Sequence, residues 1–306
     1  MTNTFSRPAR IGSALLCLLG MLAAPGAQAQ VGRFFLNVPK DTQLLIGTYN
    51  GVRSNTWGDD AMVDEGIESR NQTFTLAYAY VTSLHGRSGG PGFALPVSSM
   101  LSYDEATNQV IQDASGIGDL NLTFDYNLFG APSLPVEEFK LHTPGNYSGL
   151  HFSLGLPTGD YDGDRAANIG SNRYSFKTTL NYSVTGDGGQ SWWDFCPSVR
   201  VFGDNDDYAG GSTLSQKPLY GFEAHYSRNV ARTAWLSGGL ITSFGGATEI
   251  DGRRAQGSQS NFRLALGAGF ATWPGGATIL GYNRTIAHDD GDARVNTYML
   301  QLLHKF

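Results

Sequence analysis

The sequence predicts an all-β protein: a transmembrane antiparallel up-and-down β-barrel of the bacterial outer membrane, with about twelve strands. Three observations support this prediction. Apolar and polar side chains alternate along stretches of about ten residues, aromatic residues recur eight positions apart on the apolar face, and the chain ends in an alternating stretch closed by Phe306. In such a barrel the apolar faces meet lipid and the polar faces line the lumen. A soluble sandwich shares the alternation, but its strands average about five to six residues.

Composition excludes several other classes. The chain has 306 residues, of which 41% are hydrophobic and 16% are charged, and its formal net charge is −6. The low charged fraction argues against a disordered tail protein, and the negative balance argues against a nucleic-acid partner. The two cysteines, Cys17 and Cys196, are too few for a disulfide framework or a zinc site of their own. We therefore expect no cofactor, no metal and no nucleic acid.

Residues 1–29 resemble a cleaved secretory signal peptide. Arg7 and Arg10 precede the apolar run 11–24, and Ala27-Gln28-Ala29 provides a cleavage site of small residues. The run is shorter than the roughly 20 residues of a spanning helix. We expect residues 30–306 to form one barrel domain, exported to the outer membrane. Losing the two arginines takes the net charge from −6 to −8.

Aromatic residues mark both ends of the predicted lipid-facing strands. Tyr174 and Tyr182, Phe262 and Phe270, and Tyr298 and Phe306 form such pairs. Eight residues span about 26 Å along a strand, which suits aromatic girdles around an apolar band about 25 Å tall. The terminal Phe306 resembles the insertion signal of bacterial outer-membrane proteins, so the barrel assembly machinery is an expected partner, although His304 departs from that signal.

Turn residues divide the chain into twelve predicted strands, the even number expected of a bacterial single-chain barrel. The predicted spans are 42–53, 70–82, 93–103, 118–129, 147–157, 172–184, 191–203, 217–228, 233–246, 260–272, 277–287 and 294–306.

Connections of two lengths predict the orientation. The short turns 185–190, 229–232 and 274–276 are expected in the periplasm, with both termini. The longer loops are expected outside, at 54–69, 104–117, 158–171, 204–216 and 247–259. The connections 83–92 and 130–146 are longer than periplasmic turns should be, and the second is either a short plug or a periplasmic helix.

Charged residues on the polar faces are the candidate lumen-lining residues: Asp125, Arg173, Lys177, Asp194, Arg200, Glu223, His225 and Arg263, with Lys305 near the end of the chain. Eight-stranded barrels fill their interior with side chains, whereas sixteen or more strands leave a water channel. Twelve strands therefore predict a narrow or partly occluded pore. The alternative is that these charges pair across the lumen and seal it.

One hairpin predicts a cluster of positive charge. A turn centred between Asp187 and Gly188 sets Ser175 opposite Arg200, with Lys177 and Arg173 as diagonal neighbours. Three cations this close need an offset, either from an inward-folded acidic loop at 160–164 or from passing anions such as the carboxylate of an aromatic acid.

Three acidic clusters occur in predicted loops, at 160–164, 204–207 and 289–292. The first has the Asp-x-Asp-Gly spacing of calcium loops but lacks their downstream glutamate, so a solvated surface is the favoured interpretation and weak divalent-cation bridging to lipopolysaccharide is the alternative. An enzyme at the rim, formed by His288 and the 204–207 cluster, is the third hypothesis. It ranks last because catalysis needs these groups within hydrogen-bond reach, and their spacing in the sequence does not show that they meet. Cys196 is expected to be inert packing.

An ordered series of motifs resembles the MetA-pathway of phenol degradation family. The motifs lie at 116–119, 128–132, 157–161, 168–177, 204–205 and 216–220. The resemblance extends from about residue 42 to the C-terminus, although Tyr174 stands where a tryptophan is expected. It implies an outer-membrane protein that takes up hydrophobic aromatic compounds, and it carries over no catalytic residue. Only residues 30–41 precede the first strand, so no long N-terminal plug is expected.

These observations together predict a passive outer-membrane channel or transporter for small, hydrophobic or aromatic compounds. Outer-membrane lipid and lipopolysaccharide are its expected surroundings. The alternative is a structural or surface-interaction barrel with a closed lumen, and an outer-membrane enzyme is the third hypothesis.

Overall fold

A computed structural model describes residues 31–33, 35, 37–57, 62–64, 66–165, 167–289 and 291–306. The predicted signal peptide, residues 1–29, lies outside this part of the chain. Among the described residues, no helix has the length and apolar character needed to cross a membrane.

The described chain forms a closed antiparallel barrel of twelve strands, which confirms the predicted fold. Strand β4 has two segments that both pair with β3. The strands are β1 (Thr42–Ser54), β2 (Ile67–Leu84), β3 (Arg87–Asp104), β4 (Val110–Ile117 and Asn121–Phe129), β5 (Tyr147–Gly155), β6 (Ser175–Gly186), β7 (Ser191–Phe202), β8 (Leu219–Ala231), β9 (Ala234–Gly245), β10 (Gln259–Trp273), β11 (Gly276–His288) and β12 (Val295–Lys305).

Pairing of the first and last strands closes the barrel. Strand β1 pairs with β12 from Leu44 opposite Lys305 to Ser54 opposite Val295, and with β2 on its other side. A closed sheet leaves no edge strand with unpaired backbone groups, which is the condition for placing β structure in lipid.

The two faces of the wall have opposite character. In β1, Leu45 and Tyr49 point outwards and are exposed, whereas Thr48 and Asn50 point inwards and are buried. The exposed large apolar side chains recur around the barrel, and the buried residues include many Ser, Thr and Asn side chains. This arrangement is the reverse of a soluble protein and is typical of a barrel with lipid outside and a polar lumen inside.

The aromatic pairs named above all lie on the outer face. Tyr174, Tyr298 and Phe306 are among the most exposed apolar residues, and Tyr282 packs on Tyr298 with ring centroids 5.0 Å apart.

Short turns and longer loops separate to opposite ends, called here the turn end and the loop end. Both termini of the barrel, Thr42 and Lys305, lie at the turn end. A short helix, α1 (Val136–Phe139), lies in the 130–146 connection at the turn end. Of the two alternatives for this connection, a short plug or a helix, the structure has the helix. At the loop end, four strands form a small sheet above the barrel: Asn205–Tyr208, Ser212–Gln216, Thr248–Ile250 and Arg253–Gln256.

Two predicted connections were wrong. The 83–92 connection is a two-residue turn, His85-Gly86, in which both residues have positive φ, the geometry that suits a tight hairpin. Gly89, Gly90 and Pro91 suggested a loop but belong to β3. The 104–117 loop is also shorter than predicted, because the segment Val110–Ile117 continues the sheet beside β3.

Candidate functional site

The lumen wall carries the sequence-predicted charges on inward-facing positions. Lys177 lies on β6, Asp194 and Arg200 on β7, Glu223 and His225 on β8, and Arg263 on β10, while the alternate residues of these strands point to the outer face. Asp125 lies on β4, and Lys305 lies at the turn end beside Leu44. Arg173 is two residues before the start of β6, at the loop end, where its side chain is buried.

The pairing predicted for Arg200 was wrong by two residues. Arg200 is opposite Lys177, and Ser175 is opposite Phe202. The reason lies in the turn, where Asp187, Gly188 and Gly189 all have positive φ and the amide of Gln190 donates to the carbonyl of Gly186. Four residues therefore join β6 to β7, and the turn is centred between Gly188 and Gly189.

Lys177 and Arg200 lie in a cation-rich section of the wall. Arg200, Arg263 and Glu223 are close enough to Lys177 to act on its charge, and Ser153 faces Lys177 from β5. Facing cations on neighbouring strands repel each other. This section therefore concentrates positive charge on the lumen wall, with Glu223 as an acid beside it.

The acidic loop predicted to offset these cations has other contacts. The carboxylate of Asp160 accepts from the backbone amide of Ile117 at 2.7 Å, and that of Asp162 pairs with Arg165 at 3.0 Å. Both interactions lie at the loop end.

Two carboxylate–histidine pairs line the lumen. His151 Nδ1 lies 2.9 Å from Asp125 Oδ1 across the β4–β5 pair, and His225 Nε2 lies 3.1 Å from Glu223 Oε2 on one strand. Asp194 accepts hydrogen bonds from the hydroxyl of Ser183 and the backbone amide of Arg33. Each of these buried carboxylates therefore has a polar partner, as buried acids require.

The N-terminal segment 31–40 enters the lumen at the turn end, which sequence analysis did not predict. The backbone amide of Arg33 donates to Asp194 at 2.9 Å, and its Nε donates to Ser227 at 2.8 Å. Its guanidinium lies 5.4 Å from the centre of the Trp235 ring and also bonds to Asn229.

Phe35 provides a second contact between the same segment and the wall. Its ring lies 5.9 Å from that of His151 and packs against buried Tyr147 and Trp192. No long N-terminal plug was expected, and the segment is short, but its described residues nevertheless contact the lumen wall. The one sequence signal is an arginine within an aromatic stretch directly before the first strand.

The loop-end segment 156–174 also folds into the barrel. Buried Asp119 accepts from the backbone amides of Thr158, Gly159 and Ser171, at 3.2, 2.9 and 2.9 Å. Ala167 is fully buried against Met100 and Ala114.

Close backbone packing and Arg173 complete the attachment of this loop. Gly159 lies against Gly118 and Gly170 so closely that a Cβ on it would be 2.7–2.8 Å from their backbone atoms, and a Cβ on Gly170 would meet Gly159 at 2.7 Å, which explains Gly159 and Gly170. The guanidinium of Arg173 lies 4.7 Å from the Phe202 ring and donates to Gln216 at 2.7 Å. Arg173 is therefore part of the loop's attachment and not of the Lys177 wall section.

The rim groups considered for catalysis have separate contacts. His288 Nδ1 lies 2.9 Å from the carbonyl oxygen of Asp289, whereas Tyr161 donates to the carbonyl of Asp207. Asp290 lies outside the described residues. No cluster of three metal-ligating side chains occurs among the residues that the structure describes. Cys196 is buried and its thiol contacts Asn181.

Taken together, the outward apolar face, the polar lumen and the closure between β1 and β12 define a β-barrel of the outer-membrane type. A family model described as "Putative MetA-pathway of phenol degradation" matches residues 38–290, so the chain belongs to that family.

Solved structures share this fold at low sequence identity. The COG4313 outer membrane channel from Pseudomonas putida F1 is 21% identical, with a TM-score of 0.74 over 88% of this chain and 97% of that one. The β domain of the Bordetella autotransporter Brka is 11% identical, with a TM-score of 0.55 over 87% of this chain and 100% of that one. No curated protein sequence matches the chain.

Proposed function

We propose that the protein is an outer-membrane channel for passive entry of small, hydrophobic or aromatic compounds, made with a signal peptide at residues 1–29 that is removed on export. The main observation behind this proposal is that segments of the chain itself enter the lumen at both ends of the barrel. A polar, charged section of the lumen wall lies between these two segments. A lumen narrowed in this way suits selective passage of small solutes better than free diffusion of water and salts.

A cavity of about 40 Å³ beside the N-terminal segment has the lining of a small-molecule site, but it is too small for an aromatic ring while that segment is in place. Phe35, Val38, Ala79 and Val81 give it apolar surface, and Asp125 with other polar groups faces the same space. Small-molecule sites are mostly apolar, with a few placed polar groups that orient the ligand. The family description names phenol degradation, and the structural neighbour in Pseudomonas putida is described as a channel. Both support the proposal.

The candidate lumen-lining residues then have two roles. Asp125 pairs with His151, Asp194 with Ser183 and Arg33, and Glu223 with His225, whereas Lys177, Arg200 and Arg263 supply positive charge on the wall. An aromatic acid would place its carboxylate beside these cations and its ring against the apolar surface.

A closed-lumen structural barrel is the second candidate, favoured by the buried hydrogen bonds that hold both segments in place. A flux measurement decides between the channel and the closed barrel. Purified protein in phospholipid vesicles should increase the entry of a radiolabelled monocyclic aromatic compound well above that of empty vesicles. Entry equal to that of empty vesicles, with correctly folded protein present, would favour the closed barrel.

The C-terminal strand gives a separate test of the membrane location. Phe306 is exposed on the outer face, and its backbone amide donates to the carbonyl of Gln43 at 3.0 Å. We propose that the barrel assembly machinery recognises this residue. Deletion of Phe306 should reduce the heat-modifiable form in outer-membrane fractions, and native protein recovered from the soluble periplasm would contradict a membrane barrel.

A further inference from the structure

Three arginines form a row on the outer face at the loop end. Arg53 of β1 is directly opposite Arg70 of β2. On its other side, Arg53 is opposite Asn296 of β12, which is opposite Arg284 of β11. With strands about 4.8 Å apart, the row Arg284, Asn296, Arg53, Arg70 covers four neighbouring strands and about 14 Å.

The row lies at the edge of the apolar outer surface. All three arginines are exposed and point outwards. Two residues nearer the middle of their strands, Tyr282 and Tyr298 are packed together on the outer face, and exposed Leu280 and Leu300 follow. Tyrosines of this kind occupy the boundary between lipid chains and head groups. The arginines are therefore at the depth of lipid head groups.

The residues that the structure describes offset little of this positive charge. Arg70 pairs with Glu68 and lies 4.8 Å from the centre of the Tyr103 ring. Arg53 and Arg284 form no hydrogen bond or ion pair with the residues that the structure describes. Among the described strand residues, the next acid in this row of paired positions is Asp113, two strands beyond Arg70. Directly opposed like charges destabilise a sheet, so an external anion stabilises this arrangement.

We propose that this row binds the phosphate groups of the lipid A part of lipopolysaccharide. Guanidinium groups form paired, charge-assisted hydrogen bonds with phosphate and suit it better than ammonium groups do. A row of three arginines suits a head group with two phosphates better than one with a single phosphate. The proposal rests on the proposed outer-membrane location, with the loop end in the outer leaflet.

The test is native mass spectrometry of detergent-purified full-length barrel with added lipids. Diphosphoryl lipid A is the probe, and dephosphorylated lipid A and phosphatidylglycerol are the comparison lipids. The double variant Arg53→Gln with Arg284→Gln removes the two arginines without a partner. We expect it to bind diphosphoryl lipid A at least about tenfold more weakly, since hydrogen bonds to charged groups contribute about 1.5–3 kcal/mol each.

The matched control removes two exposed arginines at the turn end, Arg228→Gln with Arg232→Gln. It should keep wild-type lipid A binding. An equal loss in the control, equal binding of dephosphorylated lipid A, or equal binding of phosphatidylglycerol would each overturn the proposal. Heat-modifiable migration checks that both variants fold. Because the flux experiment uses vesicles without lipopolysaccharide, a failure here is distinguishable from a failure of the channel proposal.

Discussion

The two segments that enter the lumen are held in different ways. The N-terminal segment 31–40 continues into one barrel strand, β1, and its described polar contacts come mostly from Arg33. The 156–174 loop is joined to the wall at both ends, and buried Asp119 binds three of its backbone amides. A segment that continues into one strand leaves the lumen more readily than a loop that continues into strands on both sides. We infer that the N-terminal segment opens and the loop forms a fixed constriction.

Removing the carboxylate of Asp119 should give the largest effect on stability. Asp119→Ala leaves three backbone amides without their acceptor, and an unsatisfied buried group costs about 1–3 kcal/mol. We expect the free energy of unfolding to fall by roughly 3 kcal/mol or more, measured by urea titration in lipid vesicles. The exposed Asp162→Ala is the control and should change it by less than about 1 kcal/mol. Equal effects would mean that the loop is not held through Asp119.

Fixing the N-terminal segment should have the largest effect on flux. A Cβ on Gly32 would lie 3.3 Å from the Cβ of Ser227, near the about 3.5–4.5 Å of disulfides. Gly32→Cys with Ser227→Cys, in a Cys196→Ser background, should form a lock that reduces aromatic flux at least about tenfold when oxidised and releases it on reduction. Gly32→Cys alone is the control. Flux that is unchanged by oxidation would exclude movement of this segment from the transport path.

Weakening the contacts of the N-terminal segment with the wall should increase passage through the lumen, by a smaller factor than the disulfide reduces it. Arg33→Gln loses the charge that lies over Trp235 and shortens the reach to Ser227 and Asn229. We expect a few-fold increase in single-channel conductance with little change in unfolding free energy. Arg228→Gln, which removes an outward arginine at the same end, should leave conductance unchanged. An Arg33 variant with wild-type conductance would show that other contacts keep the segment in place.

The sequence predicted the strands of the barrel wall but not the contacts inside the lumen. The physical reason is that the wall follows from local patterns, whereas the lumen contacts join distant parts of the chain. Alternation is a local property, so the strands around Tyr174 to Val184 and the outward aromatics were predicted from neighbouring residues. The twelve-strand count followed because each turn carries its own glycine or asparagine signal. The contact of Arg33 with Asp194 joins positions 161 residues apart, and no local pattern indicates it.

The register error has a related cause. Moving the centre of a turn by one residue moves every pair of the hairpin by two, and a sequence such as Asp187-Gly-Gly189 does not show how many of its residues take the left-handed conformation. A shift of the pairing by two residues leaves each side chain on the same face of the sheet. Lys177 and Arg200 therefore still point inwards, as predicted, although the residues opposite them changed. Asp119 was noticed within the motif at 116–119, but its role depends on a loop about 40 residues away.

The smallest expected effect is on ion selectivity, and it concerns the charged section of the lumen wall between the N-terminal segment and the 156–174 loop. Lys177 and Arg200 face each other there, with Arg263 nearby and Glu223 as the acid that acts on Lys177. Charged groups on pore walls set ion preference. In the double variant Lys177→Ala with Arg200→Ala, the reversal potential in a salt gradient should shift towards cation preference. The outward neighbours, changed as Tyr174→Leu with Phe176→Leu, should leave it unchanged. An unshifted reversal potential in a conducting double variant would place the ion-selective point at one of the two segments instead of at the wall between them.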